Sequence, residues 1–205
     1  MTEPAPLAIP SAEQCRRYFD DFAMFDNIRL HSILVARVAA ALVDGLASGG
    51  KCPGPVPSRE FTVAAALLHD IAKTPCIAQG CHHAEVGRDI CNQLGYPEIG
   101  EIVAEHVRLK EFHTDLYRDG LFTAKELVYY ADKRVRHDRI VPLSGRLDYI
   151  LQRYGDNDPT KEALIRANFA RTLQFEELLF ARLPFTPQGV EEASCTAIFA
   201  EELAR

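Results

Sequence analysis

No apolar run in this sequence approaches the roughly 18 residues of a membrane span, and residues 1–10 carry neither a basic nor an apolar segment of signal-peptide type. The chain is therefore expected in the cytoplasm, without a membrane as partner. Positive charge is in short supply: 23 lysines and arginines against 29 aspartates and glutamates leave a formal net charge of −6. A protein that wraps nucleic acid through many phosphate contacts needs the opposite balance, so extended nucleic-acid binding is excluded. A small phosphorylated substrate needs only local positive charge. Six cysteines in 205 residues are too few for a disulfide scaffold, no CxxC pair occurs, and in the cytoplasm all are expected as thiols. A structural zinc site at Cys76, Cys81 and His82 is the minor alternative. The phosphate-loop pattern GxxxxGK is missing, no internal repeat is evident, and no segment alternates strongly enough to be a sheet strand.

What is present reads as all-α. At 47% hydrophobic and 25% charged residues the composition is that of an ordinary globular protein, long enough for one substantial core. Residues 1–10 are expected as a loose arm, 11–140 as the core, and 141–205 as a helical extension packed on the same domain. Ser11 is expected to cap a helix to about Met24, and Asn27 one from Ile28 to about Leu46. In the latter, Leu30, Leu34, Val38 and Leu42 recur at helical spacing, and His31 starts a second row through Val35 and Ala39. Ser58 caps a helix through Phe61, Ala65, Leu68 and Ala72 that Thr74-Pro75 terminates. Further helices run from His82 or His83 to Leu94 and from Pro97 or Glu98 through His106. The pattern is lost over Glu111 to Gly120, a polar loop placed to cover a site beside His106. Thr123 caps a helix holding Leu127, Val128, Asp132 and Val135. Helices from Leu143 to Tyr154, to about Leu183, and from Pro187 to Leu203 carry no histidine and read as packing elements.

The stretch from Leu67 to Lys73 stands out because an apolar helical run is interrupted by His69 and Asp70. An imidazole and a carboxylate buried together need a partner, most simply a metal ion. In chain order the candidates are His31, His69, Asp70, His83, His106 and Asp132. This mixed nitrogen and oxygen set suits iron, manganese, zinc, cobalt or nickel, and suits calcium poorly. Asp70, central in the set, is the candidate to bridge two ions. Lys73 follows His69 by four residues and Asp70 by three, which on a helix brings its ammonium to the same side. Asp132 opens a basic cluster of Lys133, Arg134, Arg136 and Arg139. Arg134 and Arg136 are candidates for a substrate phosphate, Arg136 best placed at one helical turn from Asp132; surface ion pairing is the alternative for both. His113 and His137 fit no position in the set, and Tyr129 and Tyr130 read as core.

Over roughly Ile28 to Val135 the chain resembles the HD-domain metal-dependent phosphohydrolase superfamily, all-helical proteins named for the adjacent His-Asp pair. The family's minimal signature maps onto His31, His69, Asp70 and Asp132. Members holding two metals add two histidines, which map onto His83, with Gly87 four residues later, and His106; His82 is the alternative to His83 if the helix is entered differently. The resemblance implies two divalent transition-metal ions, with iron or manganese favoured: one on His31, His69, Asp70 and Asp132, the other on Asp70, His83 and His106. It implies hydrolysis of a nucleotide-like phosphomonoester or phosphodiester by a metal-activated water. Lys73 becomes a phosphate contact or acid catalyst. A di-iron oxygenase of the same fold and a non-catalytic metal- or ligand-binding regulatory module are the other functions such a set allows. Neither substrate nor oligomeric state can be read from the sequence.

Overall fold

A computed structural model describes residues 7–196. Positions 1–6 of the expected arm and 197–203 of the expected last helix lie outside the described residues. Helix α1 spans Ala12–Asp21, with the Ser11 hydroxyl accepting from the Gln14 amide as its N-cap. Helix α2, Asp26–Ser48, begins two residues earlier than expected and is capped by Phe25 rather than Asn27. Asp26 then sits in the first turn, where its charge meets the positive end of the helix dipole.

Helix α2 is the spine of the fold. Val35, Ala36, Val38, Ala39, Ala40 and Leu42 are all fully buried, so the helix is covered on most sides. Its alanines keep the surface low enough for helix α3, Arg59–Leu68, to lie along it with buried Ala64, Ala65 and Ala66 of its own. At 23 residues, with a mean hydropathy of 1.6 over its most apolar 18-residue stretch, α2 is long and apolar enough to cross a membrane by length and composition alone. Counting uninterrupted apolar runs missed this, because Arg37 breaks the run. Of its most apolar stretch 67% is buried inside the fold, as in a core helix.

Ser58 caps α3 as expected, accepting from the Phe61 amide, but the helix ends at Leu68 rather than at Thr74-Pro75. Residues 69–72 form tight turns, and Lys73–Gln79 starts a new helix, α4, with Pro75 in its first turn. A proline there removes no hydrogen bond, so it tolerates a helix start as readily as it marks a stop. Gly80 closes α4 in the left-handed conformation, φ 69°. Helix α5, His83–Gln93, and α6, Pro97–Glu105, pack closely against each other. The Glu111 to Gly120 stretch contains a short helix, α7, Thr114–Arg118. Its Tyr117 is buried among Phe112, Phe122 and Phe175, ring centroids 5.0 to 6.1 Å apart, which anchors the segment to the core.

Helix α8, Ala124–Lys133, opens with a capping box between Thr123 and Glu126. It ends before Val135, which instead enters a two-residue strand, β1, Val135–Arg136, paired antiparallel with β2, Arg139–Ile140. Strands this short carry no readable alternation. Helix α9, Leu143–Tyr154, and α10, Pro159–Phe180, follow. A 3₁₀ turn at Pro187–Gly189 leads into α11, Val190–Thr196, which returns to α2, where the Arg37 guanidinium donates to the Ser194 carbonyl at 3.2 Å. The architecture is all-α apart from this hairpin.

Candidate metal centre

The centre is assembled from helix ends. His31 lies in the second turn of α2, His69 and Asp70 directly beyond α3, His83 at the first position of α5, His106 directly beyond α6, and Asp132 in the last turn of α8. His69 and His106 are oriented in the same way. Each donates Nδ1–H to the carbonyl three residues back, Ala66 at 2.7 Å and Val103 at 2.6 Å, satisfying an acceptor that the helix end leaves open. With the proton on Nδ1, both Nε2 atoms present lone pairs to the interior.

The two oxygens of Asp70 divide the centre. Oδ2 lies 3.9 Å from His31 Nε2, 3.4 Å from His69 Nε2 and 2.7 Å from Lys73 Nζ. Oδ1 lies 3.3 Å from His83 Nε2 and 3.5 Å from His106 Nε2. His31, His69 and Asp70 form one group able to hold a metal ion, and Asp70, His83 and His106 a second, the donor atoms in each within 4.8 Å of one another. Asp132 flanks the first group, its Oδ1 3.0 Å from His31 Nε2 and 3.9 Å from His69 Nε2.

A metal fits this donor set on two counts. His69 Nε2 and Asp70 Oδ1 are buried with no hydrogen-bond partner, a costly state that coordination relieves. The protonation states of His31, His106, Asp70 and Asp132 suit as well. Burial lowers His31, more than Asp132 raises it, and pulls His106 down to about 4. Burial would raise both carboxyls, yet Lys73 and His69 hold Asp70 well below the ordinary carboxylate range, and Lys133 and His31 do the same for Asp132. Burial works against a charge on His69 also, but the adjacent Asp70 outweighs it and raises that imidazole. Ionised carboxylates and neutral imidazoles are the forms that coordinate divalent transition metals.

Two cations that sequence reasoning did not assign complete the electrostatics. Lys133, buried, donates from Nζ to Asp132 Oδ2 at 2.9 Å and to the His106 carbonyl at 2.7 Å, 4.5 Å from the centre of the Tyr129 ring. It ties two of the helix ends together. Arg146 of α9 reaches Asp132 Oδ1 with Nη2 at 3.4 Å. Lys133 was visible as part of the basic cluster. Arg146 had no such signal, because 14 residues and a hairpin separate it from Asp132.

The two arginines expected at the substrate are elsewhere. Arg134 caps α8, so its side chain leaves on the other face. It is buried between the hairpin and α10, donating to the Val141 and Pro187 carbonyls at 2.8 Å and pairing with Glu176 at 3.3 Å. Arg136 stands on β1, not one helical turn beyond Asp132; it is exposed, its guanidinium 4.7 Å from the Tyr149 ring centre. Lys73 does reach the centre. His82 is exposed and caps α5, so His83 is the residue that enters. His113 pairs with Glu111, and His137 sits against Tyr149.

The expectation of six thiols fails at one place. Cys76 and Cys81 form a disulfide, because the left-handed turn at Gly80 brings their Cα atoms to 4.7 Å. That bond also removes the thiolates that the structural-zinc alternative needed. Both cysteines line a cavity of about 430 Å³ above the metal ligands, together with Lys73, Arg146 and side chains from α9 and α10. Among the described residues none of 111–120 lines it, so the expected cover comes instead from the C-terminal helices.

A family model described as the HD domain matches residues 29–137, the span that holds all six ligand candidates and Lys73. Comparisons with curated proteins and with solved structures return no significant match.

Proposed function

The chain belongs to the HD-domain family, the superfamily of metal-dependent phosphohydrolases, and on that premise we propose that it hydrolyses a small phosphate ester at a two-metal centre. The observation that carries this reading is the division of Asp70. One carboxylate faces two separate sets of imidazoles, each on its own oxygen, as a ligand shared by two ions would. His31, His69, Asp70 and Asp132 would hold one ion, and Asp70, His83 and His106 the other. Such a pair supplies an activated water and neutralises phosphoryl oxygens.

The chain's own residues contribute charge and position. Lys73 faces the cavity with its Nζ 2.7 Å from Asp70. Burial would lower its ammonium, but Asp70 and Asp132 raise it, so it stays cationic at neutral pH and releases a proton poorly. It is placed to hold a phosphoryl oxygen rather than to protonate a leaving group. Lys133 and Arg146 keep Asp132 ionised and aimed at His31. In the reaction the oxygen of water bonds to phosphorus, the ester P–O bond breaks, and the alcohol departs with a proton. Nucleotides, which the sequence resemblance implies, are the reference substrates.

Elemental analysis combined with an anaerobic phosphate-release assay tests the proposal. The expected result is two transition-metal ions per chain, loss of both in Asp70→Ala, loss of one in His83→Ala, and phosphate release without oxygen. Less than one ion per chain, indifferent to His69→Ala and Asp70→Ala, would overturn it. So would oxygen consumption with an organic substrate in place of phosphate release.

A further inference from the structure

The cavity above the metal ligands has two chemically distinct parts. Its floor carries the ligand candidates His83, His106 and Asp132 and the cations Lys73, Lys133 and Arg146. Arg146 is 7% exposed, and its Nε–H has no hydrogen-bond partner although the side chain lines the cavity. A buried guanidinium donor without an acceptor calls for an anion. The walls are apolar. Ile77 of α4, Val107 after α6, Ile150 of α9, and Ile165 and Phe169 of α10 surround the opening. Ile77, Val107 and Tyr154 are 64%, 46% and 48% exposed, an apolar lip continuous with the floor.

Neutral hydrogen-bonding groups are scarce there. The Asn168 amide is partly committed, Nδ2 donating one hydrogen to the Val107 carbonyl at 3.1 Å and Oδ1 accepting from the Tyr129 hydroxyl at 2.9 Å. Tyr154 brings the other neutral polar side chain. A ribose, a polyol or a base edge placed against these walls would lose water without gaining partners, a disadvantage of about tenfold to a hundredfold against an apolar body of the same size.

We propose that the substrate is a phosphate ester of a compact apolar alcohol, alkyl or aryl, with Arg146 Nε–H on a phosphoryl oxygen and the apolar body against Ile77, Val107, Ile150, Ile165 and Phe169. This rests on the phosphohydrolase reading of the same centre, narrows its substrate away from nucleotides, and assigns substrate contact to helices outside the matched residues 29–137.

The test uses the full chain loaded with manganese, its metal content verified for every variant. Hexyl phosphate and phenyl phosphate are compared with adenosine 5′-monophosphate and glycerol phosphate. The expected kcat/KM is at least about tenfold higher for the apolar esters. Arg146→Gln, compared with the parent at equal measured metal occupancy, is expected to raise KM about tenfold or more, with partial recovery in Arg146→Lys. Ile150→Asn and the exposed Ile77→Asn, which spares the core, should narrow the preference for hexyl over glycerol phosphate. Preference for the nucleotide or the polyol ester would overturn the proposal. So would a change of oligomeric state in Ile77→Asn with the preference intact, which would make the lip a contact between chains. If no ester is hydrolysed, the reaction fails while calorimetry with hexylphosphonate still decides the pocket. Binding tighter than inorganic phosphate and weakened by Arg146→Gln supports the pocket, and equal affinity for the two overturns it.

Discussion

His69 and His106 illustrate how much a single position decides. Each stands one residue past a helix and is held by its own last turn, through Nδ1 on a carbonyl three residues back. The ring direction is therefore a local property, while the two residues themselves were marked by the adjacent His-Asp pair and by the order of histidines in the family resemblance. The reach of a basic residue is not local in this sense. Arg134 and Lys133 are neighbours, yet one is a wedge under the hairpin and the other binds Asp132 and the His106 carbonyl. Adjacent residues on a helix face directions about 100° apart, so a basic cluster leaves open which member points inward. Lys133→Met is expected to leave Asp132 short of a buried partner and to lower stability by about 3 kcal/mol. Urea denaturation of metal-free protein measures this, and an unchanged midpoint would remove Lys133 from the framework of the site.

At the scale of elements, starts were more legible than ends. Ser58 and Thr123 mark helix starts because a cap bonds to amides within three residues. The break after Leu68 was invisible because it is imposed by packing, and Pro75 suits a first turn as well as a stop. The α5–α6 pair depends on a position that sequence alone had marked only by resemblance. A Cβ on Gly87 would stand 2.7 Å from Val103 Cγ1, and Val103 is itself fully buried. Gly87→Ala is thus expected to push α5 from α6, costing about 2 kcal/mol, and to weaken metal retention by moving His83. Thermal unfolding and metal content together check it. Loss of neither would mean that Val103 yields without cost.

At the scale of the whole molecule, burial makes the centre sensitive to acid. His106 titrates near 4 when folded against an ordinary 6.5. Between those values the unfolded chain takes up a proton that the folded chain does not. His106 alone then removes about 3 kcal/mol of stability as pH falls from about 6.5 to 4. His31, lowered by burial, acts in the same direction, while His69, raised by Asp70, opposes it with stability that is lost as pH rises through its folded value. Asp70 and Asp132 add their loss only below the ordinary carboxylate value of 3.8. Denaturation of metal-free protein should show a net decline from neutral to about pH 4.5. A rise would mean that His69 dominates.

The same burial orders the cysteines. It pushes the Cys15 and Cys91 thiols up to about 12, leaves Cys195 exposed, and coexists with the Cys76–Cys81 bond. Alkylation of native protein followed by mass spectrometry is expected to label Cys195 first and spare Cys15 and Cys91. Denaturation without reductant should expose those two, with Cys76 and Cys81 unlabelled until a reductant is added. Labelling of Cys76 beforehand would refute the disulfide.

By itself the sequence determined the helical class and the six ligand candidates, because apolar periodicity and the order of chemically distinctive residues survive without coordinates. Tertiary structure decided the rest: that Asp70 turns one oxygen to each set of imidazoles, that Arg134 and Arg136 leave the site while Lys133 and Arg146 serve it, and that α9 and α10 wall the cavity. These are directions and distances between elements far apart in the chain. They are set by which surfaces pack, and no local pattern encodes them.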